Sequence, residues 1–71
     1  MTQEAFLARL QEEVQLDNPL KADDILAEVK GWDSVAMLTL LNVFDEMNID
    51  VDIDELETFT SVQDILKKAG F

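Results

Sequence analysis

Apolar residues recur with helical spacing in three stretches of the chain. Near the start, Phe6, Leu7, Leu10 and Val14 stand at i, i+1, i+4 and i+8, one face of a helix over residues 2–16. Thr2 is an N-cap type and Glu4 sits at the positive end of the helix dipole, while Asp17, Asn18 and Pro19 supply a stop. In the middle, Met37, Leu40, Leu41 and Phe44 stand at i, i+3, i+4 and i+7. They predict a helix that starts at Asp33 or Ser34, both cap types after Gly31, and reaches Met47. Val35, Leu38 and Asn42 form a neighbouring stripe that a small bundle is expected to leave uncovered. Near the end, Val62, Ile65 and Leu66 form the apolar face of a helix beginning at Thr60 or Ser61. Thr60 and Gln63 have capping-box spacing, Lys67 and Lys68 lie where the dipole favours cations, and Gly70 terminates the helix.

Two connections join these helices. Residues 17–33 make a link too long to be structureless, with Leu20, Ile25, Leu26, Val29 and Trp32 as expected anchors and a helical turn within residues 23–29. Residues 48–54 carry Ile49, Val51 and Ile53 in alternation with polar residues, the pattern of a strand. The chain offers no second strand, so an extended connector pinning apolar side chains to the bundle is expected, followed by a short helical turn over residues 54–58. The expected fold class is all-α: one domain over residues 1–71, a small bundle of three main helices and one short helix.

Charge narrows the function. Sixteen acidic residues against five basic ones leave a net charge of −11. Such a chain is repelled by phosphate backbones and anionic membranes, so neither nucleic acid nor a membrane is expected as partner, and a basic protein surface is. Self-repulsion also favours a monomer. No apolar run approaches the roughly 20 residues of a membrane span, and residues 1–13 lack the basic start and apolar block of a signal peptide. A cytoplasmic, stand-alone protein is the expectation.

Missing residues narrow the chemistry. Without cysteine or histidine there is no thiolate nucleophile, no Ser-His or Cys-His pair and no usual transition-metal ligand. Asp50, Asp52 and Asp54 have the opening spacing of an EF-hand loop, but its sixth position would be Glu55 instead of Gly and its twelfth Ser61 instead of Glu. No metal site is therefore assigned, and the acidic run reads as a solvated face. No carboxylate stands on an apolar face, where burial would raise its pKa for acid–base work, so no catalytic residue is assigned either. The two serines, Ser34 and Ser61, both stand at helix starts, where the plain structural reading is an N-cap. Ser34 differs in its setting, Gly31-Trp32-Asp33-Ser34-Val35 after a long loop. It has no base to activate it, so it suits a hydroxyl that another enzyme modifies.

That stretch, followed by a Leu-rich helix, resembles the Asp-Ser-Leu signature of acyl carrier proteins. The resemblance continues through Leu40-Leu41, Asp45-Glu46, Ile49-Asp50-Val51 and Phe59-Thr60-Ser61-Val62-Gln63-Asp64-Ile65, and covers essentially the whole chain. It implies that Ser34 carries 4′-phosphopantetheine, attached from coenzyme A by a phosphopantetheinyl transferase, with Asp33 as the signature acid beside it. The arm's thiol would hold acyl groups as thioesters, a thiol that the cysteine-free chain cannot itself supply. Val35 and Leu38 would be an apolar docking pair. Asp45 and Glu46 would meet basic docking surfaces on acyl-loading, condensing or acyl-transferring enzymes. Some of Leu40, Leu41, Phe44, Ile53, Phe59, Val62 and Leu66 would shelter the acyl chain, although each also reads as ordinary core.

The chain departs from the family pattern at Val35, where Leu is usual, and at Ala36 and Thr39, where carboxylates are usual on the exposed face. Trp32 is more typical of carriers in specialised pathways: polyketides, nonribosomal peptides, or polysaccharide and lipid modification. The alternative reading is an acidic helical protein-interaction module without a prosthetic group, which needs no hydroxyl at position 34.

Overall fold

The computed structural model describes residues 2–71 and is all-α, with three main helices and one short one. Helix α1 spans Gln3–Val14, α2 Ser34–Glu46, α3 Ile53–Glu57 and α4 Val62–Ala69, and a 3₁₀ turn, Leu26–Glu28, lies in the long first connection. No strand occurs among the described residues.

Thr2 caps α1 as its position predicts, its Oγ1 accepting the Ala5 N–H at 3.1 Å. The helix ends earlier than the Asp17-Asn18-Pro19 stop. Gln15 adopts a left-handed conformation (φ 64°), and its N–H bonds the last turn. The chain turns there, and Leu16 swings inward. Phe6 and Leu10 are fully buried, while Leu7 and Val14 pack at the margin of the core.

In α2 the buried face is Ala36, Leu40, Val43 and Phe44. The expected stripe is fully buried at Leu40 and Phe44, Leu41 packs half-buried at the core margin, and Met37 is half-buried without joining the core cluster. Both α1 and α3 contact α2, so the arc it buries is set by two neighbours rather than one. The Phe6 and Phe44 rings stack with centroids 6.3 Å apart, and Phe71 lies against Phe6 at 5.5 Å. One aromatic cluster thus joins α1, α2 and the end of the chain, and such pairs add about 0.5–1.5 kcal/mol each beyond their buried area.

The long connection is tacked down as expected through Leu20 and Leu26, both buried, and through Val29 and Trp32 at the core margin. Ile25 is not an anchor: it is 45% exposed. Its backbone neighbourhood is held instead by the entry to α4. The Leu26 N–H donates to the Thr60 carbonyl at 3.0 Å and the Val62 N–H to the Asp24 carbonyl at 2.9 Å. This two-bond bridge satisfies Ile25's neighbours without burying its side chain.

The alternating segment sets Ile49 and Val51 against the core margin as a connector without strand partners, and Ile53, already the first residue of α3, packs there too. Asp52 then caps α3, accepting the Glu55 N–H at 2.9 Å, so that helix starts one residue before its expected position. Leu56 buries it, and Lys68 of α4 pairs with Glu55 at 3.0 Å. The expected Thr60–Gln63 capping box is displaced by one residue. Ser61 is the N-cap of α4, and it is the Asp64 carboxylate that reaches back to the Thr60 and Ser61 N–H groups. Val62, Ile65 and Leu66 are buried as predicted, and Gly70 (φ 95°) closes the helix. No helix among the described residues is long and apolar enough to cross a membrane.

Candidate functional site

The site is built at the N-terminus of α2. Val29 and Trp32 pack on the core, and the Trp32 N–H donates to the Val29 carbonyl at 3.1 Å. Gly31 turns the chain with φ 93°, a region L-residues rarely enter. Asp33 follows in extended conformation, and its Oδ1 accepts the Ala36 N–H at 3.0 Å. Asp33 is therefore the N-cap and Ser34 the first residue inside the helix. This corrects the capping assignment for Ser34: Asp33 makes the capping bond, so the fold does not require the serine hydroxyl for it. Ser34 is exposed where the free N–H groups and the positive end of the helix dipole favour an anion.

Beside Ser34 the surface is apolar. Val35 is 69% and Leu38 52% exposed, two of the four exposed large apolar side chains among the described residues. Ala36, expected on this exposed face, is buried at 2% and faces the core. Thr39 is half-buried, and its hydroxyl donates to the Val35 carbonyl at 3.1 Å.

The two acids at the far end of α2 separate. Asp45 is exposed and lines an open groove of about 510 Å³ with Leu41, Asn42, Ile49, Asp50 and Val51. Glu46 points toward α1, where its carboxylate forms an ion pair with Arg9. Sequence reasoning had no signal for that pairing, since the partners are 37 residues apart and only the α1–α2 packing brings them together. The groove was equally hidden, because it forms where the connector folds back along α2.

Leu40, Phe44, Val62 and Leu66 belong to the buried core, with Leu41, Ile53 and Phe59 at its margin. The Asp50, Asp52 and Asp54 run does not converge: Asp52 is committed to the α3 cap. No group of three or more His, Cys, Asp or Glu side chains that could hold a metal is found among the described residues.

Searches against protein-family models, curated proteins and solved structures returned no match to this chain.

Proposed function

We propose that this protein is a carrier whose Ser34 bears 4′-phosphopantetheine and which presents acyl cargo to partner enzymes. The observation that carries the reading is the state of Ser34. It is exposed at a helix N-terminus, released from capping by Asp33, and flanked by two solvent-facing apolar side chains. The resemblance around Asp33-Ser34-Val35 points to the same hydroxyl.

The residues present fit the group. Once bound, the arm supplies the thiol that this cysteine-free chain lacks, and acyl cargo is held there as a thioester. Ser34 Oγ is the attachment atom. In the transfer it bonds to phosphorus, the pyrophosphate link of coenzyme A breaks, the nucleotide leaves, and the hydroxyl proton passes to the transferase. A phosphodiester on Ser34 would lie at the N-terminus of α2, where free N–H groups and the helix dipole favour an anion. Asp33 keeps the first turn in register through Ala36. The cargo class belongs to acyl metabolism, fatty-acid, polyketide or a more specialised kind.

The test is intact mass before and after incubation with coenzyme A and a broad-specificity phosphopantetheinyl transferase. The wild type should gain one phosphopantetheine, and Ser34→Ala should gain nothing while keeping its helical circular dichroism, because the cap is Asp33. A folded wild type that gains no mass sinks the proposal and leaves an acidic helical interaction module as the better reading.

A further inference from the structure

The Asp64 carboxylate differs from the other capping groups in what it holds. Thr2, Asp33 and Asp52 each accept one N–H from the helix they begin. Asp64 instead reaches back out of α4 and takes three donors: the Thr60 N–H at 2.9 Å, the Thr60 hydroxyl at 3.2 Å and the Ser61 N–H at 3.3 Å. It thereby fixes the two residues that precede α4, and the long first connection is tied to the same place. Among the described residues, only two backbone hydrogen bonds join residues 18–32 to another part of the chain. They run from the Leu26 N–H to the Thr60 carbonyl at 3.0 Å and from the Val62 N–H to the Asp24 carbonyl at 2.9 Å.

Both ties are made by peptide units that Asp64 holds at their other end. The unit joining Thr60 and Ser61 offers its carbonyl to Leu26 and its N–H to the Asp64 carboxylate. The unit joining Ser61 and Val62 offers its N–H to Asp24 and its carbonyl to the Asp64 N–H, at 3.1 Å. Hydrogen bonds in series polarise one another, and an ionised acceptor at the head of a series strengthens it. The series continues inside the connection. The Leu26 carbonyl accepts the Val29 N–H and the Val29 carbonyl the Trp32 N–H, both at 3.1 Å, and it ends at Trp32, beside the Asp33 cap.

We propose that residues 17–33 form a strap hinged on α1 and α2, and that the Asp64 carboxylate is the latch that keeps it closed. The strap buries only Leu20 and Leu26 fully, leaves Ile25 exposed and has two backbone ties, so it opens at lower free energy than the whole fold. Opening withdraws Leu20 and Leu26 from the core and frees the backbone that leads into Ser34, while α1, α2 and α4 keep their own hydrogen bonds. The proposal goes beyond the carrier reading and does not depend on it.

The experiment is amide hydrogen exchange followed by NMR on the full chain at neutral pH, for wild type, Asp64→Ala, Asp64→Asn and Asp52→Ala. Asp52 is the control, because its cap on α3 holds neither the strap nor its ties. In Asp64→Ala the backbone amides of Leu26, Val29 and Trp32 should exchange about three- to tenfold faster than in wild type, the equilibrium effect of losing a cap of this kind. Asp52→Ala should leave these three at the wild-type rate, since opening the strap does not break the α3 cap. Asp64→Asn retains a neutral oxygen acceptor, should accelerate the same amides by a smaller factor of about two to three, and carries the test if the alanine variant does not fold. Wild-type rates at the three amides in the Asp64 variants overturn the proposal, because the strap then opens without breaking the Asp64 contacts. Equal acceleration by Asp52→Ala overturns it too, because the strap then opens only when the whole fold does.

Discussion

Two adjacent residues decide what Ser34 is free to do. Asp33 and Ser34 are both good caps, and a side chain at either position can accept an N–H from the first turn. The sequence leaves that choice open, because both residues satisfy the same orphan donors. The backbone settles it: Asp33 is extended and Ser34 already helical, so the carboxylate takes the bond. The same ambiguity recurs at Thr60 and Ser61, where the structure shifts the box by one residue and makes Asp64 its acid. The Thr60 N–H holds the Asp64 carboxyl below the ordinary aspartate range, helped by the Thr60 hydroxyl, the Ser61 N–H and nearby Lys67 and opposed by partial desolvation. A lowered folded pKa stabilises the fold above the unfolded value, and that contribution is lost as pH falls through the folded one. Asp64→Ala should therefore melt lower than wild type at neutral pH, and the gap should shrink as pH drops below about 4, the ordinary aspartate value. Melting curves of both proteins from neutral to acid pH check this. A gap independent of pH would mean that the carboxylate's charge has no part in the cap.

At the scale of elements, the helices were legible, and so were the ends that a cap residue marks, Thr2 for α1 and Gly70 for α4, while the C-terminal end of α1 was not. Periodicity locates α1, α2 and α4 because each buries a single face, but termination depends on backbone conformation. Gln15 enters the left-handed region without being glycine, so no residue type marked the end of α1. The connector after α2 shows the reverse. Ile49, Val51 and Ile53 alternate like a strand, yet with no neighbouring strand to bond they serve as three apolar pins. The long first connection could be read only as tacked down. That its Asp24 and Leu26 bond to Val62 and Thr60 is a fact of tertiary structure, and it explains how Ile25 can sit in a fixed segment and still be exposed. Gly31 is the joint between that segment and α2. Its φ of 93° disfavours any L side chain, and a Cβ there would lie 3.2 Å from Leu16 Cδ2. Gly31→Ala should lower stability by at least about 1 kcal/mol from the left-handed backbone alone. Thermal melting measures it, and a variant as stable as wild type would show that the loop relaxes without cost.

For the molecule as a whole, charge and packing act separately. A net charge of −11 on 71 residues repels itself, and only two ion pairs, Arg9 with Glu46 and Lys68 with Glu55, offset it between described residues. Both are partly exposed and worth little individually. Added salt should therefore raise the melting temperature between about 0.05 and 0.5 M, as screening relieves carboxylate repulsion faster than it weakens the two pairs. A melting temperature that stays flat or falls with salt would show that the carboxylates are too dispersed to matter. The sequence by itself determined the all-α class, the three main helices, the buried Phe6, Leu10, Leu40, Phe44, Val62, Ile65 and Leu66, and the exposure of Val35 and Leu38. Each of these follows from composition and local period, which bury one face of a helix whatever it packs against. Tertiary structure alone decided the arc of α2 that is buried, the pairing of Glu46 with Arg9, the groove beside Asp45, and the bridge that ties the long loop to α4. Those depend on residues distant in sequence meeting in space, and no local pattern encodes which of them will meet.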